Sequence, residues 1–317
     1  MVIYDEPPLF ECGTSYAYVK IGDGCNRRCT FCSIPGFKGK HRSRKLKEII
    51  EDVKGFLRAG KKEIILVDQD CTQYRDGEND LKDLLRILSS LNGEFWIRVL
   101  YLNPDFLDDE TIDVILNTPK VLKYFDLPLQ HVNDEVLKAM GRVKKGEELI
   151  ELVDRIKMKD ERAIIRSSFI VGFPNERDEH FEELVEFVES GRIDRMGFFM
   201  YSPEEGTEAF KMRSIVDEER MKARYNTMMD ISFRIIHEKQ EKLLGRELEV
   251  LVDGYDEDYR MFFGRSYMDA PEIDTVVYLE SDSEIERSKF VKVVVKETFG
   301  LDLGGKIIEH SECDNVV

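Results

Sequence analysis

Along the first two thirds of the chain, apolar residues alternate between two patterns. Residues 16–21 place Ala17, Val19 and Ile21 on one face, and 62–67, 95–101, 122–127, 163–171 and 196–201 are short runs rich in branched and aromatic side chains. Runs of this length and composition predict strands. Between them the spacing lengthens to three or four. Leu46, Ile49, Ile50, Val53, Phe56 and Leu57 predict a helix over 45–59, and similar stripes predict helices over 81–91, 105–116, 134–140, 147–158 and 178–189. A longer stripe through Met221, Tyr225, Met228, Ile231 and Ile235 predicts a helix over 217–244, its methionines serving packing.

Six strands, each followed by helix, build a parallel sheet with helices packed outside. Six units fall short of the eight of a closed barrel, so the expected class is α/β, a partial, open (β/α)6 barrel. Past Gly245 the pattern changes to short runs at 247–252, 259–263, 276–279 and 290–295, punctuated by Gly254, Gly264, Gly300 and the Gly304-Gly305 pair. That reads as a small all-β barrel. The expected organisation is a leader or linker at 1–14, an α/β domain at 15–242 and the β-barrel at 243–317.

Composition narrows the function. The 317 residues are 42% apolar and 35% charged, enough for a real core. No apolar run approaches the roughly 20 residues of a membrane span. Met1 to Phe10 lacks the basic and apolar regions of a secretory signal. Six cysteines, three of them in one tight loop, are no disulfide framework. The expected compartment is the cytoplasm, where thiols stay reduced. The net charge of −17 disfavours a phosphate-backbone substrate and suits a basic protein partner. Residues 243–317 carry 18 Asp/Glu against 8 Lys/Arg, so most of the excess lies in the last domain. The run Lys38, Lys40, Arg42, Arg44, Lys45 and Lys47 is the basic counterweight. It reads either as a solvated helix lead or as a contact for an acidic substrate segment.

The chemistry is concentrated in Cys25-Asn26-Arg27-Arg28-Cys29-Thr30-Phe31-Cys32. Three thiolates at C-x3-C-x2-C spacing can hold three irons of a [4Fe–4S] cube and leave the fourth open for a small molecule. A structural zinc normally needs four closed ligands, and His41, the nearest other candidate, completes no familiar zinc pattern. Three plain buried thiols are the third reading. Cys12, Cys71 and Cys313 are scattered and read as small buried hydrophobes.

The stretch, with Phe31 before its last cysteine, resembles the signature of the radical S-adenosylmethionine (radical SAM) enzymes. The resemblance implies that Cys25, Cys29 and Cys32 hold one [4Fe–4S] cluster. SAM would chelate the open iron and be cleaved to a hydrogen-abstracting 5′-deoxyadenosyl radical. The strand-end loops Val67-Asp68-Gln69-Asp70-Cys71-Thr72-Gln73-Tyr74, Leu127-Pro128-Leu129-Gln130-His131, Val171-Gly172-Phe173-Pro174-Asn175-Glu176 and Tyr201-Ser202-Pro203-Glu204-Glu205-Gly206-Thr207 resemble the methylthiotransferases. The last domain resembles their TRAM domain.

Gln69-Asp70, Glu204-Glu205-Gly206-Thr207 and Gly264-Arg265-Ser266-Tyr267 leading to Ala270-Pro271-Glu272-Ile273-Asp274 point to the branch that methylthiolates an aspartate of small-subunit ribosomal protein twelve. The branch acting on tRNA adenosine is the alternative; a SAM-cleaving or non-catalytic binding module is another. In this reading Asp70 and Gln130 are catalytic, with Asp70 orienting the substrate, while Phe31, Gln69, Arg166 and Gly172 contact SAM. Arg166 would do so by a forked contact to the SAM carboxylate, or serve only as a structural ion pair. Gly172 would let the backbone come close. His131 reads as no more than a residue leading a helix. The expected partners are a basic ribosomal protein and an electron donor such as flavodoxin or ferredoxin. These enzymes normally carry an N-terminal domain with a second cluster. Its cysteine arrangement is absent here, so the chain is expected to be a fragment of a longer protein or a lineage that lost the domain, and as it stands to bind one cluster and cleave SAM without inserting sulfur.

Overall fold

The computed structural model describes residues 13–214, 216–281 and 283–310. Cys12, Cys313 and most of the expected leader lie outside the described residues. Six parallel strands form the first unit: β1 (Tyr16–Lys20), β2 (Glu63–Val67), β3 (Trp96–Val99), β4 (Tyr124–Asp126), β5 (Ile164–Val171) and β6 (Arg195–Met200). Tyr16 lies opposite Glu63, Glu63 opposite Trp96, Tyr124 opposite Ile164 and Arg166 opposite Arg195. A single parallel bridge, Ile97 to Val121, joins the two three-stranded halves, so the strands follow chain order. Among the described residues β1 and β6 do not pair, and the barrel stays open there.

The helices lie between the strands in the chain: α1 (Leu46–Arg58), α2 (Leu81–Ser89), α3 (Asp109–Asn117), α4 (Asp134–Ala139), α5 (Gly146–Lys159), α6 (Asp178–Glu189) and α7 (Glu218–Glu241). Their apolar stripes pack on the sheet in one core, including Ile49, Val53, Leu84, Leu152, Leu184 and Met228. α3 begins four residues later than the sequence predicts. Asp105 does not cap it, because its carboxylate accepts the backbone N–H groups of Val143 (3.3 Å) and Lys144 (2.9 Å). Asp108 is the cap instead, accepting from Thr111 N at 2.7 Å.

The second unit is a closed five-stranded barrel: β7 (Glu247–Asp256), β8 (Met261–Arg265), β9 (Val277–Glu280), β10 (Phe290–Phe299) and β11 (Asp302–His310). β11 was not expected, since Gly304-Gly305 reads as punctuation. In the structure these glycines are what lets β11 close the barrel. A Cβ on Gly305 would sit 2.3 Å from Val293 Cγ1, and one on Gly304 would sit 2.6 Å from the Phe299 ring. The two units share a core in which Tyr16, Ile65, Trp96 and Tyr124 meet Leu251, Met268, Ala270 and Phe290. Beneath it, Glu63 is wholly buried between two arginines, Arg98 Nε at 2.6 Å and Arg265 Nη1 at 2.5 Å. The strand order thus points all six C-terminal ends, and the loops they launch, to one side.

Candidate active site

The loop after β1 carries the three cysteines. A two-residue ribbon, Gly22–Asp23 against Arg42–Ser43, closes its neck. Within it Cys25 N bonds Gly39 O at 3.1 Å, and Ile34–Phe37 forms one helical turn. Two glycines make room. Gly24 has φ +77° and a Cβ there would lie 2.5 Å from Lys40 O; Gly141 has φ +75° and a Cβ there would lie 2.4 Å from Arg28 O.

Neighbouring loops hold the cysteine loop in place. Arg27 reaches the loop after β2, its Nε 2.6 Å from Asp70 Oδ2 and its Nη2 3.0 Å from Thr72 Oγ1, while its guanidinium lies 3.3 Å over the Phe106 ring. Asn26 N donates to Gln73 Oε1 at 3.0 Å. On the other flank Thr30 bonds the end of α4 through its N–H to Met140 O and its hydroxyl to Ala139 O.

The thiols sit among hydrogen-bond donors, although at Cys29 and Cys32 burial outweighs them and holds the thiol up until iron displaces its proton. Arg27 N and Gln73 Nε2 each donate to Cys25 Sγ at 3.4 Å. Burial pushes the Cys29 thiol up, opposed by a hydrogen bond and charge from Arg142. Burial also pushes Cys32 up, opposed by the backbone at Ile34. Amide donors and a guanidinium at the sulfurs favour the ionised form that binds iron. Among the described residues no three His, Cys, Asp or Glu side chains converge tightly enough to grip one ion. In a cube each thiolate takes its own iron, so the sulfurs stand further apart than around a single ion. His41 is engaged elsewhere, its Nε2 2.7 Å from Asp68 Oδ2.

Beside the cysteines a cavity of ≈ 350 Å³ opens at the strand ends. Phe31, Gln69, Tyr101, Asp126, Gln130 and Ser168 line it, together with Phe199 to Ser202 at the end of β6. Three of the residues expected at the site, Phe31, Gln69 and Gln130, therefore share one wall. Gln130 is held at φ +71° by two backbone bonds to β5, at Ser168 O and Ile170 N, both 2.9 Å. Tyr201 Oη is buried there and finds no hydrogen-bond partner among the described residues.

The other three are placed differently. Asp70 is buried in the pairing with Arg27 and caps a 3-10 turn at Thr72 N. Arg166 spends its guanidinium on Asp126 Oδ1 (3.0 Å) and Asp274 Oδ1 (3.4 Å). Gly172 has φ +76°, but the space its Cβ would need is taken by Met221 of α7, and its N–H bonds Glu176 Oε2. His131 is fully buried, its Nδ1 accepting from Asn133 N at 3.0 Å.

The sequence reading missed Arg27, Gln73, Asp126, Gly141 and Arg142. Arg27 and Gln73 fall inside quoted motifs, but nothing local distinguishes them from solvated loop residues. Half of the basic run is paired, with Lys38 3.1 Å from Asp23, Arg44 2.8 Å from Asp52 and Lys45 3.0 Å from Asp76.

A thiol-bearing loop over the C-terminal mouth of a six-stranded open barrel is an arrangement seen in known proteins. The profile of the "Radical SAM superfamily" matches residues 19–188, and that of the "TRAM domain" matches 244–308. The ribosomal protein uS12 methylthiotransferase RimO of Petrotoga mobilis is 47% identical over 299 residues, covering 93% of this chain and 68% of that protein. The RimO of Aquifex aeolicus is 45% identical over 299 residues, covering 93% and 69%. The chain belongs to this methylthiotransferase family within the radical SAM superfamily.

Two solved structures share the fold. Methylornithine synthase (PylB) gives a TM-score of 0.50 at 16% identity, covering 68% of this chain and 62% of that one. Coproporphyrinogen III oxidase (HemN) of Escherichia coli gives 0.50 at 15%, covering 72% and 53%. The chain is a radical SAM methylthiotransferase, and the cofactors of its superfamily are a [4Fe–4S] cluster and SAM. The donors around the three thiols fit that cluster. No helix among the described residues is long and apolar enough to cross a membrane.

Proposed function

We propose that the chain methylthiolates an aspartate of ribosomal protein uS12. Cys25, Cys29 and Cys32 hold the cluster, and Phe31, Gln69 and Gln130 form the wall that receives SAM and the substrate carbon. When bound, cluster and SAM supply a radical able to take hydrogen from an unactivated C–H bond. The chain's own residues aim and shield that chemistry. Phe31 stands edge-on to Phe173, ring centres 6.4 Å apart, and closes the cavity beside the cysteines. Gln69 and Gln130 offer both donors and acceptors, suited to orienting polar groups of the ligand.

Asp70 serves by anchoring Arg27, and so the cysteine loop, rather than by touching substrate. Arg166 serves through Asp126, and Gly172 through the turn it makes against Met221. An external one-electron donor of the flavodoxin or ferredoxin class is required.

The observation that carries the substrate is 47% identity along 93% of the chain to proteins named as uS12 methylthiotransferases. The acidic last domain supports it, since a ribosomal protein is basic. The chain spans about two thirds of the length of those relatives, so the test uses the full-length protein. Incubated anaerobically with SAM, sulfide, reductant and uS12, it should add the mass of a methylthio group to one aspartate. Formation of 5′-deoxyadenosine with uS12 unmodified and tRNA adenosine methylthiolated would overturn the assignment.

A further inference from the structure

The C-terminal barrel reaches into the first unit. Its β8–β9 connection, residues 265–275, runs beneath the strands and bonds several of their inward-facing side chains. Arg98 Nη1 and Nη2 donate to Tyr267 O (3.1 Å) and Asp269 O (2.9 Å); Tyr16 Oη donates to Glu272 Oε1 at 2.6 Å. Arg195 holds Asp269 Oδ1 through Nη2 at 2.7 Å.

Most of this is domain attachment, and Glu63, Arg98, Arg265 and Asp253 complete one another within it. Asp274 goes further. Its Oδ2 accepts from Tyr124 Oη at 2.5 Å and from Ala270 N at 2.9 Å, and its Oδ1 lies 3.4 Å from Arg166 Nε. Arg166 Nη1 then donates to Asp126 Oδ1 at 3.0 Å. The second oxygen of Asp126 accepts the backbone N–H of Tyr101 at 2.9 Å. Tyr101 sits at φ +57°, and both it and Asp126 line the reaction cavity. One ion pair, Asp274 to Arg166, and the hydrogen bonds on either side of it thus link the second domain to the cavity wall.

We propose that the 265–275 connection of the C-terminal barrel shapes the reaction cavity from outside its lining, with Asp274 a positioning residue that sets Tyr101 through Arg166 and Asp126. Attachment alone does not account for it. A buried charge repays its desolvation poorly as a source of stability, and burial raises the Asp274 carboxyl, with Arg166 and Arg195 opposing. The charged and titratable groups facing it are Tyr124, Arg166, Arg195 and Asp269. What the carboxylate provides is direction. It pins one edge of the Arg166 fork so that the other edge meets Asp126 in one orientation. In this reading the second domain does more than offer a surface to a partner: it fixes a side of the cavity built by strand-end residues far earlier in the chain.

The test is hydrogen exchange read by mass spectrometry on the full-length protein without added cofactors, which separates it from the question of substrate. In Asp274→Asn, exchange at the Tyr101 amide should rise about tenfold while β6 stays unchanged. Asp253→Asn removes a partner of Arg265 in the same interface but no member of the series, so it should leave Tyr101 unchanged. If Asp274→Asn fails to fold, Arg166→Lys breaks the series from the middle and should give the same rise at Tyr101. Unchanged exchange at Tyr101 in the folded variant, or an equal rise in Asp253→Asn, would overturn the proposal.

Discussion

Replacing Arg27 by Ala tests how the cysteine loop is held. Arg27 lies inside the cysteine motif, yet its side chain points away to Asp70, Thr72 and Phe106. A charge-assisted hydrogen bond is worth about 1.5–3 kcal/mol and a cation–π contact at a partly exposed site about 0.5–1 kcal/mol. The Arg27 side chain is 19% exposed against 3% for Asp70, so solvent screens part of this and a net cost of about 2–3 kcal/mol is expected. Arg27 ties the loop to its neighbour after β2, while Thr30 ties the other flank to the end of α4, so the cost falls on local opening rather than on global unfolding. That corresponds to roughly 30- to 150-fold more frequent opening.

The assay is the rate at which a chelator bleaches the absorbance near about 400 nm of the reconstituted cluster. It should rise by that factor in Arg27→Ala, while the global melting point moves little. Asp70→Asn should raise it as well, and the double variant should be far from additive, because the two side chains form one contact. Bleaching within twofold of wild type in Arg27→Ala refutes the anchoring argument. An Asp70→Asn protein that keeps its cluster but loses turnover would return Asp70 to a catalytic role.

Gly141→Ala should prevent cluster assembly, because the left-handed backbone and the Arg28 carbonyl both exclude a Cβ; iron content per chain after reconstitution reports it, against a global fold checked by circular dichroism. Glu63→Gln leaves two buried guanidiniums short of a counter-charge and should cost about 3–4 kcal/mol in urea unfolding. A loss below about 1 kcal/mol would show that the arginines find other partners. Asp194 is held below the ordinary carboxylate range despite burial, by Lys239 and Lys157. A carboxyl depressed on folding adds stability that is complete above its unfolded value, about 4, and is lost as pH falls through the folded one. The melting-point gap between wild type and Asp194→Asn should therefore be full at neutral pH and shrink at the acid end; a constant gap would contradict the assignment.

The strand and helix alternation was legible because each element buries one face, which writes a period of two or near four into the chain. The helix over Asp178–Glu189 falls where its stripe places it, and six strands followed by a β-barrel emerged from periodicity and glycine spacing. The cysteine motif was legible for a different reason: its three ligands sit in one loop, so their spacing is itself the geometry. Where local signals have two uses, the sequence misled. Asp105 looks like a helix cap but serves the backbone of Val143 and Lys144. Gly304-Gly305 looks like a break but is the close approach that seals a barrel.

What the sequence by itself determined was the order of elements, the thiol triad and the acidity of the last domain, all properties of neighbours along the chain. Only the tertiary structure decided the work of Asp70, Arg166 and Asp274. Each carboxylate or guanidinium could pair with many partners, and the choice depends on which strands lie side by side. Arg166 meets Asp126 because β4 and β5 are adjacent, and meets Asp274 because a loop from another domain passes beneath them. Contacts between residues far apart in the chain leave no periodic trace, since the free energy that selects them comes from burial shared by elements the chain has yet to bring together.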